Sequence, residues 1–388
     1  MDLGLNDEQR MIAESAAVFL SENSASARVR EVAERQGGFD RALWEQVCEM
    51  GWSTVALPEA AGGMGLGLME LVLLSERMGA HLACVPFFDA VVAPAALWRH
   101  LCLSGSGLAV VQRLALSSKV CVLGMTVRGA LSASARVVVD GASLVLDGRW
   151  PQVASGAVAD VFILPTTLPC GSLALLEVAA DTAGLTVEAL ATVDGTRTSA
   201  HVTAAQVKLA DSAVLVQGDA LLALWAELRS FAAIALAAEQ VGVAERALEL
   251  AVEYTKERVQ FGKAVAVFQG VKHRAAQMLV GVEMSRSAVY GAAAAADAGA
   301  VGEALFMCAA QARSEATEAA LFATRECIQL HGGVGFTWEF DPHLYFRRAQ
   351  TLSQRMGTVE QWHEEVAALL FDADGQPRTQ QQPALEAA

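Results

Sequence analysis

The stretch Glu257-Arg258-Val259-Gln260-Phe261-Gly262 sets a guanidinium, an amide and an aromatic ring side by side, followed by glycine. A guanidinium fork suits phosphate or carboxylate oxygens, a ring suits a flat apolar partner, and the glycine lets the chain turn away. Phe268-Gln269 adds a second ring and amide further along. These groups have the chemistry to read a nucleotide-like ligand, although a solvated helix end uses the same residue types. A second candidate is "CIQLHGGVGF", residues 327–336, in which Gln329 precedes glycines 332, 333 and 335. Glycines there are an expected helix stop. They do not follow a strand and open a helix, so neither they nor "GGMGLG" (62–67) form the dinucleotide fingerprint of doubly wound sheets.

Several other chemistries are excluded. The seven histidines (81, 100, 201, 273, 331, 343, 363) lack metal-ligand spacing on one helix face, and no G-x-S-x-G elbow or Walker lysine occurs. The seven cysteines are widely spread without C-x-x-C pairing, which fits reduced thiols in a cytoplasm. A net charge of -15 over 388 residues argues against nucleic acid and anionic membranes as partners. Any phosphate must therefore be held by a local basic pocket. The acidic, polar start is unlike a secretory signal. The alanine-rich runs are broken by polar residues before eighteen, so no membrane span is expected.

The elements that must carry these groups change character twice along the chain. Residues 1–117 read as an N-terminal helical domain, with amphipathic patterns from Asp7, over 39–50 and over 68–78, and a glycine-rich loop "LPEAAGGMGLG" between the last two. Residues 118–215 read as a compact antiparallel sheet or barrel, with hairpin signals at Asp140-Gly141 and Asp147-Gly148. Residues 216–372 read as a C-terminal four-helix bundle, over 220–260, 268–297, 303–330 and 358–371. The polar tail, 373–388, is expected to be disordered. The fold class is α+β: helical domain, β domain, bundle.

This order, with "LPEAAGGMGLG", "YTKERVQFGKAVAVFQ" and "IQLHGGVGFTWEFDPHLYFRRA", resembles the flavin-dependent acyl-CoA dehydrogenases over nearly the whole chain. The resemblance implies FAD held between chains of a homo- or hetero-oligomer. It implies an acyl-CoA thioester as substrate and an electron-transferring flavoprotein or similar acceptor. Carried over, Arg258 contacts the pyrophosphate, Phe261 and Gln269 help enclose the dinucleotide, and Gln329 and Gly333 approach the adenosine half. Thr126 is what survives, in "MTVRGALSASA", of the loop that covers the flavin.

The sequence departs from that family where the chemistry is done. The usual carboxylate base belongs to a Y-E-G-T segment, here Arg355-Met356-Gly357-Thr358, and methionine cannot accept the α-proton. The family's alternative base position falls at Ala232. Glu239, two turns further along the same helix face and roughly 10 Å away, is the remaining carboxylate candidate. Gln152 and Ala154 stand where a tryptophan and a threonine would face the flavin. An arginine that places CoA maps to Ala233, with Arg229 one turn earlier. The half of the FAD site lent to a neighbour is therefore intact, while the half kept is eroded. Three readings stay open: a working dehydrogenase with a displaced base, the non-catalytic partner of a heteromeric enzyme such as those acting on steroid side-chain thioesters, and a redox-inactive acyl-thioester binder or other flavin enzyme on this scaffold.

Overall fold

The computed structural model describes residues 4–34, 38–103, 107–131, 135–140 and 143–371. The expected tail lies outside them, as does Gly141 of the first hairpin signal.

Helices α1 (Asp7–Asn23), α2 (Ser26–Glu34), α3 (Arg41–Glu49), α4 (Leu68–Ala80), α5 (Ala95–Leu103) and α6 (Leu108–Leu114) come first. A capping box starts α1, where the Asn6 side chain accepts from the Gln9 amide and Gln9 accepts in return. At α3 the chain stops on Gly51, whose φ of 76° no ordinary residue adopts cheaply. The sequence reading did not single out α2, α5 and α6.

The β section comprises β1 (Cys121–Leu123), β2 (Arg136–Asp140), β3 (Ser143–Ala154), β4 (Val161–Thr167), β5 (Leu173–Ala179), β6 (Leu185–Ala189), β7 (Ser199–Leu209) and β8 (Val214–Gln217). They form one sheet in the order β6-β7-β3-β2-β4-β5-β8, with β1 beside β4. Most pairings are antiparallel, as expected, but β1 and β2 each run parallel to β4. Bulges interrupt the β3–β7 ladder between Leu146 and Gly148 and between Trp150 and Val153. The second leaves Gln152 at a φ of 55° and re-aims the end of β3.

The rest is helical: α7 (Gly218–Glu257), α8 (Gln269–Asp297), α9 (Gly302–His331), α10 (Pro342–Gln354) and α11 (Val359–Leu370). The sequence reading lacked α10, which opens on a proline that suits a first helical turn. It also ran α7 three residues too far. The helix ends at Glu257, and β9 (Val259–Gln260) pairs with β10 (Lys263–Ala264) instead. By length and composition α7 could cross a bilayer, contrary to the expected absence of such a run, but 67% of its most apolar window is buried in the core.

That burial has a sequence cause. Ala232, Ala233, Ala235, Ala237 and Ala238 are fully buried, and such small side chains let other helices approach α7 closely. At the α4 crossing the approach needs glycine. A Cβ on Gly79 would lie 2.0 Å from the Glu239 carbonyl oxygen, and one on Gly242 would lie 1.9 Å from that of Glu76. The far end of α8 reaches back, where the Asp297 carboxylate accepts from the Leu68 and Met69 amides at the start of α4 (2.7 and 2.9 Å). One core cluster runs from α1 through the sheet to α11.

Candidate functional site

The sequence-derived candidates fall into two groups. Arg258, Phe261, Gln269, Gln329 and Gly333 are all exposed, at the ends of α7, α8 and α9. Arg258 caps α7, with its amide bonded to the Tyr254 carbonyl at 2.9 Å. The chain then makes a two-residue hairpin turn at Phe261-Gly262, with φ of 54° and 74°. A turn of this hand wants positive φ at both central residues, and glycine supplies the second without strain. Phenylalanine at the first is an outlier, costing of order 1–3 kcal/mol, and its ring is 92% exposed. A strained position holding a large apolar ring in water contributes nothing to this chain's own core, so it points to a partner outside the chain.

Phe268 stands edge-on to Phe261 (6.3 Å between ring centroids) and precedes Gln269, the first residue of α8. No side chain caps α8, whose first amides and positive dipole end face outward. Residues 254–274 hold Lys256, Arg258, Lys263, Lys272 and Arg274 against one acid, Glu257. Arg274 is partly engaged by Glu326 at 3.6 Å, whereas Arg258 has no ion-pair partner among the described residues. A locally basic surface thus sits on a strongly acidic chain.

Gln329 and Gly333 join this group through a contact that the sequence did not reveal. Tyr254, one turn before Arg258, stacks on His331 at the end of α9 (centroids 4.4 Å, planes 19° apart), and Phe340 meets both rings edge-on. His331 Nδ1 lies 2.7 Å from the Cys327 carbonyl oxygen, which can only accept, so the neutral ring carries its proton there. Burial lowers the His331 pKa, favouring that neutral form. The only hint in the sequence was that Tyr254 lies one turn before Arg258 and that His331 lies between Gln329 and Gly333.

Thr126 belongs to the second group. It lines a cavity of about 360 Å³ with Met125, Gln152, Ala154, Arg355 and Met356. Its hydroxyl is spent on Ala130, accepting from the amide and donating to the carbonyl, both at 3.1 Å. Arg355 pairs with Asp89, which sits on a π-helical turn (Phe88–Val92) and also accepts from Ser155. The Arg197 Nε and the Thr198 hydroxyl are buried without partners beside this cavity. Met356 itself is buried in the left-handed region (φ 63°), against Gly129. Its carbonyl accepts from the Trp362 indole at 3.0 Å. Thr358 caps α11, so the turn around Met356 is well built even though the side chain has no acid–base chemistry.

Glu239 is corrected by its surroundings. One carboxylate oxygen accepts from both Arg348 (2.7 Å) and Arg197, in a pocket closed from water. Arg348 also bonds Asp194 at 2.7 Å and Thr196. Burial alone would raise the Asp194 carboxyl, but Arg348 and Thr196 hold it below its ordinary pKa. Glu239 is thus a structural counter-ion that ties α7 and α10 to the 190–198 loop, and it is not placed to take a substrate proton. Arg229, the other displaced candidate, is bound to Glu365 and lies over the Trp362 ring at 4.4 Å.

The two groups fit FAD unequally. At Gly262, Gly270, Gly332 and Gly333 an added Cβ would meet nothing within 4 Å, and with the unpaired Arg258 they leave room and charge for the adenosine diphosphate half. The cavity beside Met356 is crossed by the Arg355–Asp89 pair and has Gln152 and Ala154 on its β3 wall. That wall is a poor match for a flavin ring.

Comparison with known proteins identifies the family. Residues 6–101 match the acyl-CoA dehydrogenase N-terminal domain family and residues 227–370 its C-terminal domain family. The chain is 31% identical to the acyl-CoA dehydrogenase IpdE2 of Mycobacterium tuberculosis (strain ATCC 25618 / H37Rv) over 351 residues, covering 90% of this chain and 92% of that protein. Among solved structures it is similar to a Tcur3481-Tcur3483 steroid ACAD variant, with a TM-score of 0.81 and 28% identity over 93% of this chain and 97% of that one. It is also similar to the ChsE4-ChsE5 complex from Mycobacterium tuberculosis, with a TM-score of 0.83 and 26% identity over 95% and 99%. The chain belongs to the acyl-CoA dehydrogenase family.

Proposed function

We propose that this chain is a subunit of a heteromeric acyl-CoA dehydrogenase that lends the nucleotide half of an FAD site to a neighbouring chain carrying the catalytic base. The observation that carries the reading is the contrast between the two groups of residues. The exposed, basic, strained Arg258–Phe261 hairpin is built for something outside the chain. The base position is a buried methionine, and the remaining carboxylate candidate is neutralised by two arginines. The likeness to a ChsE4-ChsE5 complex and to a steroid ACAD supports both the heteromer and a steroid-derived acyl-CoA thioester as substrate.

When bound, FAD supplies the hydride acceptor for α,β-dehydrogenation of the thioester. This chain's part is binding and orientation. Arg258 would donate to pyrophosphate oxygens, Phe261 and Gln269 would cover the dinucleotide, and Gln329 with Gly333 would receive the adenosine half. The α-proton goes to a carboxylate of the neighbour. The test is to purify the chain alone and co-expressed with acyl-CoA dehydrogenase family chains encoded beside it, counting FAD per chain and assaying acyl-CoA oxidation. Flavin and turnover appearing only with a partner are expected. A chain that alone holds one FAD per protomer and bleaches it with acyl-CoA would overturn the reading.

A further inference from the structure

We infer that the Tyr254–His331 ring pair is the positioning element of the nucleotide half-site, coupling the Arg258 hairpin on α7 to the Gly332-Gly333 turn on α9. The inference rests on the nucleotide-site reading above and says how that site is kept in register.

The two halves of the site come from parts of the chain more than seventy residues apart, and each is on its own a soft structure. The hairpin is a two-residue ladder with exposed strands. The glycine turn is a short 3₁₀ segment whose first residue has a φ of 66°. Buried contact is sparse in both: the β9 residues are exposed, and Gly335 is the one buried residue of the glycine turn. Each, however, emerges within one turn of a ring that is fixed. Tyr254 is the residue whose carbonyl accepts from the Arg258 amide, and His331 is the residue immediately before Gly332. Stacked at 4.4 Å and 19°, the rings join the last turn of α7 to the last turn of α9.

The pair is locked in three further ways. Nδ1 of His331 is held by the Cys327 carbonyl one turn back, which sets the ring's orientation about χ2. Phe340 closes the open edges of both rings, with centroids at 5.9 and 6.1 Å. A Cβ on Gly335 would lie 2.8 Å from the Ile328 carbonyl oxygen and 3.0 Å from the His331 Cβ, so the turn folds back tightly onto the last turn of α9. Phe340 lies just before α10, so the cluster gathers three elements at one point. A pyrophosphate contact from Arg258 and an adenosine contact from Gly333 act on one ligand together without extra ordering cost only when their separation is already set. The stacked rings hold that separation without touching the ligand, so both are positioning residues.

The test begins without ligand. Backbone hydrogen exchange on the full-length chain is compared for wild type, Tyr254→Leu, Tyr254→Phe and His331→Ala. Tyr254→Leu is expected to speed exchange about 10-fold at residues 332–336 on the other element, and His331→Ala to do so at 259–264. Tyr254→Phe keeps the stack and should match wild type. Acceleration confined to the mutated element overturns the coupling. Should His331→Ala fail to fold by circular dichroism, His331→Phe, which keeps a ring against Tyr254, takes its place and should leave residues 259–264 as protected as in wild type; their loss of protection overturns the role of the stack. FAD retention in the assembled oligomer, read by fluorescence quenching, separates this inference from the reading beneath it. Weakening of about 10-fold in both Arg258→Ala and Tyr254→Leu, restored in Tyr254→Phe, supports it. Weakening in Arg258→Ala with wild-type retention in Tyr254→Leu keeps the half-site and overturns the positioning role. Wild-type retention in Arg258→Ala removes the half-site itself, and the inference with it.

Discussion

Glu239→Gln separates a structural counter-ion from a catalytic base. The glutamine is isosteric, and its amide oxygen can still accept from Arg197 and Arg348, so what is lost is charge. A guanidinium donating to a neutral amide oxygen is still a charge-assisted bond, so the loss is that of the ion pairing itself, about 3 kcal/mol when one partner of a buried pair is neutralised. Coulomb attraction at an effective dielectric near 20, about 4 kcal/mol for charges 4 Å apart, gives the same scale. Asp194 still neutralises Arg348 through its 2.7 Å contact, which keeps the loss from growing further. Arg197 is left without a carboxylate partner among the described residues and keeps only the amide oxygen and the Val85 carbonyl. Urea unfolding at pH 7, followed by circular dichroism, should show a lower midpoint and a loosened 190–198 loop. Turnover of the assembled oligomer should fall only with the folded fraction. A variant as stable as wild type but without turnover would refute this reasoning, because it would mean that Glu239 meets substrate as a free base.

The other predictions concern the two groups of site residues. Arg258→Ala should cost roughly 1.5–3 kcal/mol of FAD binding, a weakening of at least tenfold by fluorescence titration of the assembled oligomer. Phe261→Gly should relieve the left-handed strain and stabilise the hairpin by about 1 kcal/mol, yet weaken flavin retention; a variant that loses stability as well would mean that the ring serves the fold. Met356→Glu places a carboxylate in a buried site packed on Gly129, so its folded pKa is raised and stability is lost as pH rises. The variant should melt lower at pH 8 than at pH 5 relative to wild type, and equal losses would refute a buried location. Asp194 runs the opposite way, its folded pKa being held low by Arg348 despite burial. Its contribution is complete above the ordinary carboxyl range near pH 4 and fades as pH falls below it, so Asp194→Asn should flatten the acid limb of the stability profile.

Much of this was legible along the chain because it is local. A helix stop at Gly51, a hairpin at Val137–Val139 against 143–146 and an alanine-rich core helix are written in consecutive residues, since caps, turns and periods act over a few positions. The types of Arg258, Phe261, Gln269, Gln329 and Gly333, on which the proposed half-site rests, came from the resemblance of short motifs to a family, as did the place of Met356 at the usual base position. Side-chain type alone decides that residue 356 cannot take a proton. The sequence likewise set the local charge around residues 254–274 against the acidity of the whole.

What the tertiary structure decided are the relations across distance. Glu239 looks free in the sequence, because Arg348 and Arg197 are 109 and 42 residues away and no spacing rule brings them to it. The end of α7 was misplaced because hairpin pairing with 263–264 outcompeted the helical continuation that residues 258–260 allow on their own. Tyr254 and His331 are unremarkable in their own helices and become a pair only when α7 and α9 pack side by side. Chain propensity is a sum over neighbours in sequence, whereas desolvation, ion pairing and stacking depend on neighbours in space. The residue types of the half-site were therefore fixed by the sequence, and their exposure, charge state and register by the fold.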